Sequence, residues 1–118
     1  MNVVSAVSLS QAEVKILGDL FDVAAVGEIA PGEAKQVEAG GREIALFNCD
    51  GDYYAIDNDC THIGGPLCDG EISGDRVVCP WHGSEFNIRT GEVLSPPADE
   101  NVNTYIVRVE GGRILIEI

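Results

Sequence analysis

The chain has only two histidines, one tryptophan and one methionine, and its seven basic residues stand against twenty acidic ones. Each scarcity closes a class of function. Both histidines sit inside short cysteine motifs, Cys60-Thr61-His62 and Cys79-Pro80-Trp81-His82. None is left over to activate a serine or cysteine nucleophile or to build a mononuclear iron site of two histidines and a carboxylate, so substrate chemistry is not expected. A formal net charge of −13 repels phosphate backbones and anionic lipid, which sets nucleic acid and membrane aside as partners. That charge also reads more plainly as solubility, or as adaptation to salt. No apolar run approaches the roughly 20 residues that span a bilayer. Residues Met1 to Asp19 lack a basic leader region, and Val3-Val4-Ser5-Ala6-Val7 is too short to anchor a chain. The expectation is a cytoplasmic protein. At 118 residues it has room for one domain and none for a second, catalytic one.

What is present is a metal-binding pattern. Each motif offers one soft thiolate and one borderline imidazole, a two-plus-two set whose split by type suggests two different metal atoms. The motifs run into Ile63-Gly64-Gly65-Pro66-Leu67 and Gly83-Ser84, so each reads as a tight loop whose amides can approach a cluster closely. A single zinc ion would accept the same four side chains. Zinc sites usually pair like with like, however, and here the order alternates as Cys-x-His and Cys-x-x-His. In a [2Fe–2S] rhomb with two thiolates on one iron and two imidazoles on the other, that alternation is what the chemistry needs.

At these residues the sequence resembles the Rieske family: the segments from Cys60 to Leu67 and from Cys79 to Ser84 are similar to its two cluster-binding boxes. The resemblance implies that Cys60 and Cys79 hold a buried iron, that His62 and His82 hold the outer one, and that electrons leave through the imidazoles. Neutral imidazoles in place of two thiolates leave less negative charge for an added electron to meet, which places such sites between about −150 and +300 mV. Gly64, Gly65, Trp81, Gly83, Ser84, Phe86, Pro96 and Pro97 are the expected supporting residues. Gly65 and Trp81 stand where high-potential members of the family carry a disulfide, and Phe86 stands where they carry a tyrosine. The serine donor has a counterpart in Ser84. A potential in the lower part of the range follows. Ser95-Pro96-Pro97-Ala98 is either a stiff connector or, as the resemblance implies, a third loop lying over the cluster. Trp81 either packs under its loop, the favoured reading, or shapes a partner contact.

Elsewhere the chain is a run of short alternating strands with glycine turns, and no long helix is evident. Arg42–Phe47 and Tyr53–Asp57 flank Asp50-Gly51-Asp52 as a hairpin. Arg76–Val78 leads into the second box and Glu85–Arg89 leaves it. Thr104–Val109 and Arg113–Ile118 surround Gly111-Gly112, and Glu33–Val37 is a further candidate strand. The pattern predicts an all-β fold. In the form the resemblance implies, this is a Rieske-type antiparallel sandwich or barrel with an inserted cluster-binding subdomain, covering residues 20–118. Its loops fall at about 59–68, 79–84 and 95–98. Residues 1–19 form an N-terminal extension in which Ser10-Gln11-Ala12-Glu13 has the form of a capping box. Cys49 and Cys68 are expected to be ordinary reduced thiols.

The expected function is therefore a Rieske ferredoxin. It would carry single electrons from a flavin-dependent NAD(P)H reductase to a ring-hydroxylating non-haem iron oxygenase, docking on each transiently by charge. A small subunit of a nitrite-reductase-like enzyme and a zinc-bound structural module are the alternatives.

Overall fold

The computed structural model describes residues 19–118. The capping box at Ser10–Glu13 and nearly all of the expected extension lie outside these residues. Ten strands follow in order: β1 Leu20–Ala25, β2 Ala34–Ala39, β3 Arg42–Cys49, β4 Asp52–Asp57, β5 Glu71–Ser73, β6 Arg76–Val78, β7 Glu85–Asn87, β8 Val93–Ser95, β9 Thr104–Glu110 and β10 Arg113–Glu117. They form two antiparallel sheets, one of six strands in the order β1-β10-β9-β4-β3-β2 and one of four in the order β5-β6-β7-β8. The edge strands β1 and β2 of the larger sheet touch, so that sheet curls toward a barrel. The all-β, barrel-like expectation is met. The four-stranded sheet is inserted between β4 and β9.

The hairpins close where the sequence places them. Asp50 and Gly51 both adopt positive φ, 54° and 96°, and the Gly51 N–H donates to Asn48 Oδ1 at 2.7 Å. Aspartate and glycine tolerate that left-handed conformation, which matches the twist of the flanking strands. The expected strand Glu85–Arg89 stops two residues early, and its own side chain is the reason. Asn87 Oδ1 accepts the N–H groups of Arg89 and Thr90, which turns the chain before the ladder can continue. The candidate strand at Glu33–Val37 is found at Ala34–Ala39.

Strand β3 joins the two halves through its alternation. Successive side chains of a strand point to opposite faces. Ile44 and Leu46 enter a core with Ala24, Val37, Ala55, Ile114 and Ile116, inside the curled sheet. Ala45 and Phe47 enter a second core with Ile56, Leu67, Val77, Phe86, Ile88 and both motif cysteines, Cys60 and Cys79. One strand thus walls both cores. The cysteines belong to the core beneath the four-stranded sheet, and that places the loops that carry them. Among the described residues no helix is long and apolar enough to cross a membrane.

Candidate metal centre

Two loops bring the four expected ligands to one place, and their backbones match. In the first, the Cys60 N–H donates to Gly65 O at 2.9 Å and the Gly64 N–H to Cys60 O at 2.8 Å. In the second, the Cys79 N–H donates to Ser84 O at 2.7 Å and the Gly83 N–H to Cys79 O at 3.1 Å. Each loop therefore closes on the residues four and five beyond its cysteine. Each also needs a left-handed residue at the same point, supplied by Gly64 at φ 80° and Gly83 at φ 82°. The cysteines end up 3% and 2% exposed, while His62 and His82 are open to solvent. Their rings stand 5.1 Å apart, centroid to centroid, at 89° to one another.

The thiols of Cys60 and Cys79 are neighbours in one core. Burial pushes the Cys60 thiol above its ordinary pKa and the neighbouring thiol adds to the rise, against a backbone N–H from His62 and the Ser84 hydroxyl, which both favour the thiolate. Gly65 is held by space: a Cβ there would lie 2.6 Å from Cys79 Sγ and 3.2 Å from Trp81 Cγ. The donors divide as two buried thiols and two exposed imidazoles. This set suits two metal atoms bridged by sulfide better than one zinc.

A third loop ties the other two together. The Ala98 N–H donates to Ser84 Oγ at 2.9 Å, and Thr61 Oγ1 donates to Glu100 O at 2.7 Å, so the segment after β8 is pinned to both boxes. Because its oxygen accepts from Ala98, the fully buried Ser84 has its proton left to give to sulfur. Pro96 and Pro97, joined by a cis peptide, are exposed, whereas Ala98 packs in the core with Cys60 and Cys79. Phe86 is fully buried in that core. Trp81 lies with its Cβ and Cγ toward Gly65 yet is 55% exposed, packed on one side of its ring and open on the other. Ile63 at 49% is the other open apolar side chain of the boxes.

Cys49 and Cys68 are half-buried free thiols. Burial pushes both up in pKa, helped by Asp50 at the first and Asp69 at the second. Sequence reasoning passed over Thr61 and Asn58, whose side chains act through contacts with Glu100 and Cys68, residues that the chain order does not bring to notice.

An all-β domain that presents paired imidazoles above paired thiols on two matched loops is an iron–sulfur domain. The chain belongs to the Rieske [2Fe–2S] domain family, whose model matches residues 19–106. The cofactor of this family is one Rieske-type [2Fe–2S] cluster, which sets the zinc reading aside. The ferredoxin component of the naphthalene 1,2-dioxygenase system of Pseudomonas aeruginosa is 38% identical over 98 residues, covering 83% of this chain and 94% of its own length. The biphenyl dioxygenase ferredoxin subunit of Pseudomonas sp. strain KKS102 is 41% identical over 93 residues, covering 78% and 85%. Among solved structures, the complex of reduced oxygenase and oxidised ferredoxin in carbazole 1,9a-dioxygenase contains a chain that superposes with a TM-score of 0.79 at 29% identity, covering 83% of this chain and 92% of that one. A nitrite reductase small subunit shares the fold alone, at 20% identity and a TM-score of 0.71.

Proposed function

We propose that this chain is a Rieske ferredoxin that takes single electrons from a flavin-dependent NAD(P)H reductase and delivers them to a ring-hydroxylating non-haem iron oxygenase. In this reading Cys60 and Cys79 hold one iron of the cluster and His62 and His82 the other. The bound cluster supplies storage for one electron. The rest of the work falls to the chain's own residues. The two imidazoles, exposed above buried sulfur, give a partner's redox centre a short approach through bonds. Ala98, Leu67 and Phe86 keep water from the thiolates, while the Ser84 hydroxyl and the His62 amide favour the charged form of Cys60. The observation that carries the reading is this exposure pattern, open imidazoles over sealed cysteines, in a chain with no other histidine.

Charge favours transient docking. No lysine or arginine occurs among residues 43–75, 77–88 or 90–107, the stretches that contain all three loops of the tip, whereas Asp59, Asp69, Asp99 and Glu100 are exposed there. Partners with basic collars would be steered to the imidazoles, quickly and in a salt-sensitive way. Both redox partners use the same tip in turn, so a shuttle needs weak binding. The domain is assigned to residues 20–118, preceded by the extension 1–19, and the cytoplasm, where NAD(P)H is supplied, is its proposed location.

Reconstitution tests the proposal. The purified protein is expected to show visible absorbance and an EPR signal on reduction, to contain two irons and two acid-labile sulfides, and to restore turnover when mixed with a reductase and oxygenase of this type. A colourless zinc protein overturns the metal assignment. Tight co-purification with a sirohaem subunit and no oxygenase turnover replaces the ferredoxin reading with the nitrite reductase one.

A further inference from the structure

The two ligand loops have the same internal hydrogen bonds but different foundations. The second is the tip of a hairpin: β6 and β7 pair through Val78 with Glu85 and Val77 with Phe86, so the ladder itself fixes both ends of the turn. The first has no such ladder. It leaves β4 at Asp57 and runs into a short 3-10 helix, Leu67–Asp69, with a single bridge between Asp59 and Pro66 inside it. Something other than paired strands must close it.

We infer that Asn58 is the positioning residue that closes the first ligand loop and so sets Cys60 and His62. Its main-chain oxygen accepts the Leu67 N–H at 2.7 Å and its side-chain Oδ1 accepts the Cys68 N–H at 2.9 Å. Both ends of the loop from Asp59 to Pro66 therefore meet at one residue. Asn58 is in turn fixed to the larger sheet, donating its own N–H to Glu43 O at 3.1 Å, with its amide nitrogen 3.5 Å from Gln36 Oε1. At 2% exposure it has no water to replace these partners, and an amide is left buried only when it is bonded. A carbonyl on the backbone and a carbonyl on the side chain of one residue perform the task that a strand pair performs for the second loop. Leu67, fully buried beside Cys60 in the same core, is held in place by the first of these bonds.

The inference rests on the ligand assignment proposed above, and its test is differential so that the two can fail separately. Iron and sulfide analysis of the unaltered protein bears on the assignment. For Asn58, the loaded protein is compared with Asn58→Ala and with Ile114→Ala, a fully buried truncation in the other core. Hydrogen exchange followed by mass spectrometry is expected to rise in Asn58→Ala over residues 59–69 and to stay unchanged over residues 79–86. Release of iron to a chelator is expected to quicken by on the order of tenfold, the lower end of what losing an outer support of a metal ligand causes, and the reduced EPR spectrum to shift or broaden. Ile114→Ala should do none of these. Equal gains in exchange in both loops, or release rates and EPR spectra in Asn58→Ala matching those of Ile114→Ala, would reduce Asn58 to a general contributor to stability and overturn the proposal. Should Asn58→Ala yield too little protein, Cys68→Pro, which removes the N–H that reaches Oδ1 together with the thiol, is compared with Cys68→Ala, which removes the thiol alone, and the difference between them gives the same reading by the same three measurements.

Discussion

The six-stranded sheet and the four-stranded sheet are built to different standards of self-sufficiency. In the larger, β3 pairs along its length with β2 on one side and β4 on the other, and the apolar core beneath it contains no residue of the metal centre. In the smaller, no strand exceeds three residues, and the core it covers includes both motif cysteines, Cys60 and Cys79. Backbone ladders hold the first. The second is closed by loops, by side-chain bonds from Asn58, Thr61 and Ser84, and, in the proposed assignment, by the cluster that Cys60 and Cys79 would hold. The lesson is that a site for exchanging electrons is placed where the chain has the least secondary structure of its own, because the cluster and its loops must finish the fold between them.

The largest test of that division removes the metal. Cys79→Ala should abolish the visible absorbance and deprotect the three loops in hydrogen exchange, while the ladder from β2 to β4 keeps its protection. Ile116→Ala, in the other core, should cost about 2–5 kcal/mol in denaturant unfolding and leave the spectrum of the folded protein as it was. Collapse of both sheets together in Cys79→Ala would erase the distinction.

A pair of glycines gives the next contrast. Gly65→Ala drives a methyl group to 2.6 Å from Cys79 Sγ and 3.2 Å from Trp81 Cγ, and the sulfur can yield only by leaving the position from which it would bind metal. Severe loss of iron in the purified protein is expected. Gly27 has open space around its Cβ direction and no positive φ. Gly27→Ala should change stability by no more than about 0.5 kcal/mol and leave the iron content intact.

Smaller effects separate tuning from holding. Removing the Ser84 hydroxyl takes away a donor that favours extra negative charge on sulfur, and Ser84→Ala should lower the reduction potential. Phe86→Tyr, adding a hydroxyl in the same core, should raise it. A hydrogen bond with a net worth near 1 kcal/mol corresponds to about 40 mV for one electron, and square-wave voltammetry resolves that. A potential at the top of the range in the unaltered protein would contradict the low value expected from Phe86, Gly65 and Trp81.

Much of this was legible in the sequence because the informative signals were local. Cys60-Thr61-His62 and Cys79-Pro80-Trp81-His82 carry their chemistry within three or four residues, and Asp50-Gly51 and Gly111-Gly112 mark their turns by conformational tolerance alone. What escaped was carried by long-range contacts. The short strands Glu71–Ser73 and Val93–Ser95 have too few residues to show alternation, and they exist because Arg76–Val78 and Glu85–Asn87 offer partners. Asn58 and Thr61 are polar residues of a kind found in any loop. Only the fold shows that one receives the Cys68 N–H and the other reaches Glu100, 39 residues further along.

The smallest expected effect lies where the two regions meet, on the strand that feeds the first ligand loop. Tyr105 on β9 donates its hydroxyl proton to Asp57, the last residue of β4, and receives a bond from Arg42. Burial raises the tyrosine pKa and the Asp57 carboxylate raises it further, with Arg42 opposing. The folded state therefore keeps this proton longer than the unfolded chain, whose tyrosines titrate near about 10. The linked stability is whole below that pH and drains away as the pH climbs through the raised folded value. Ultraviolet titration should show one of the three tyrosines ionising late, and Tyr105→Phe should remove that late component along with part of the alkaline loss of stability. If the reduction potential at neutral pH also moved in Tyr105→Phe, the larger sheet would be tuning the cluster as well as supporting it, and the separation of the two regions would need to be redrawn at Asp57.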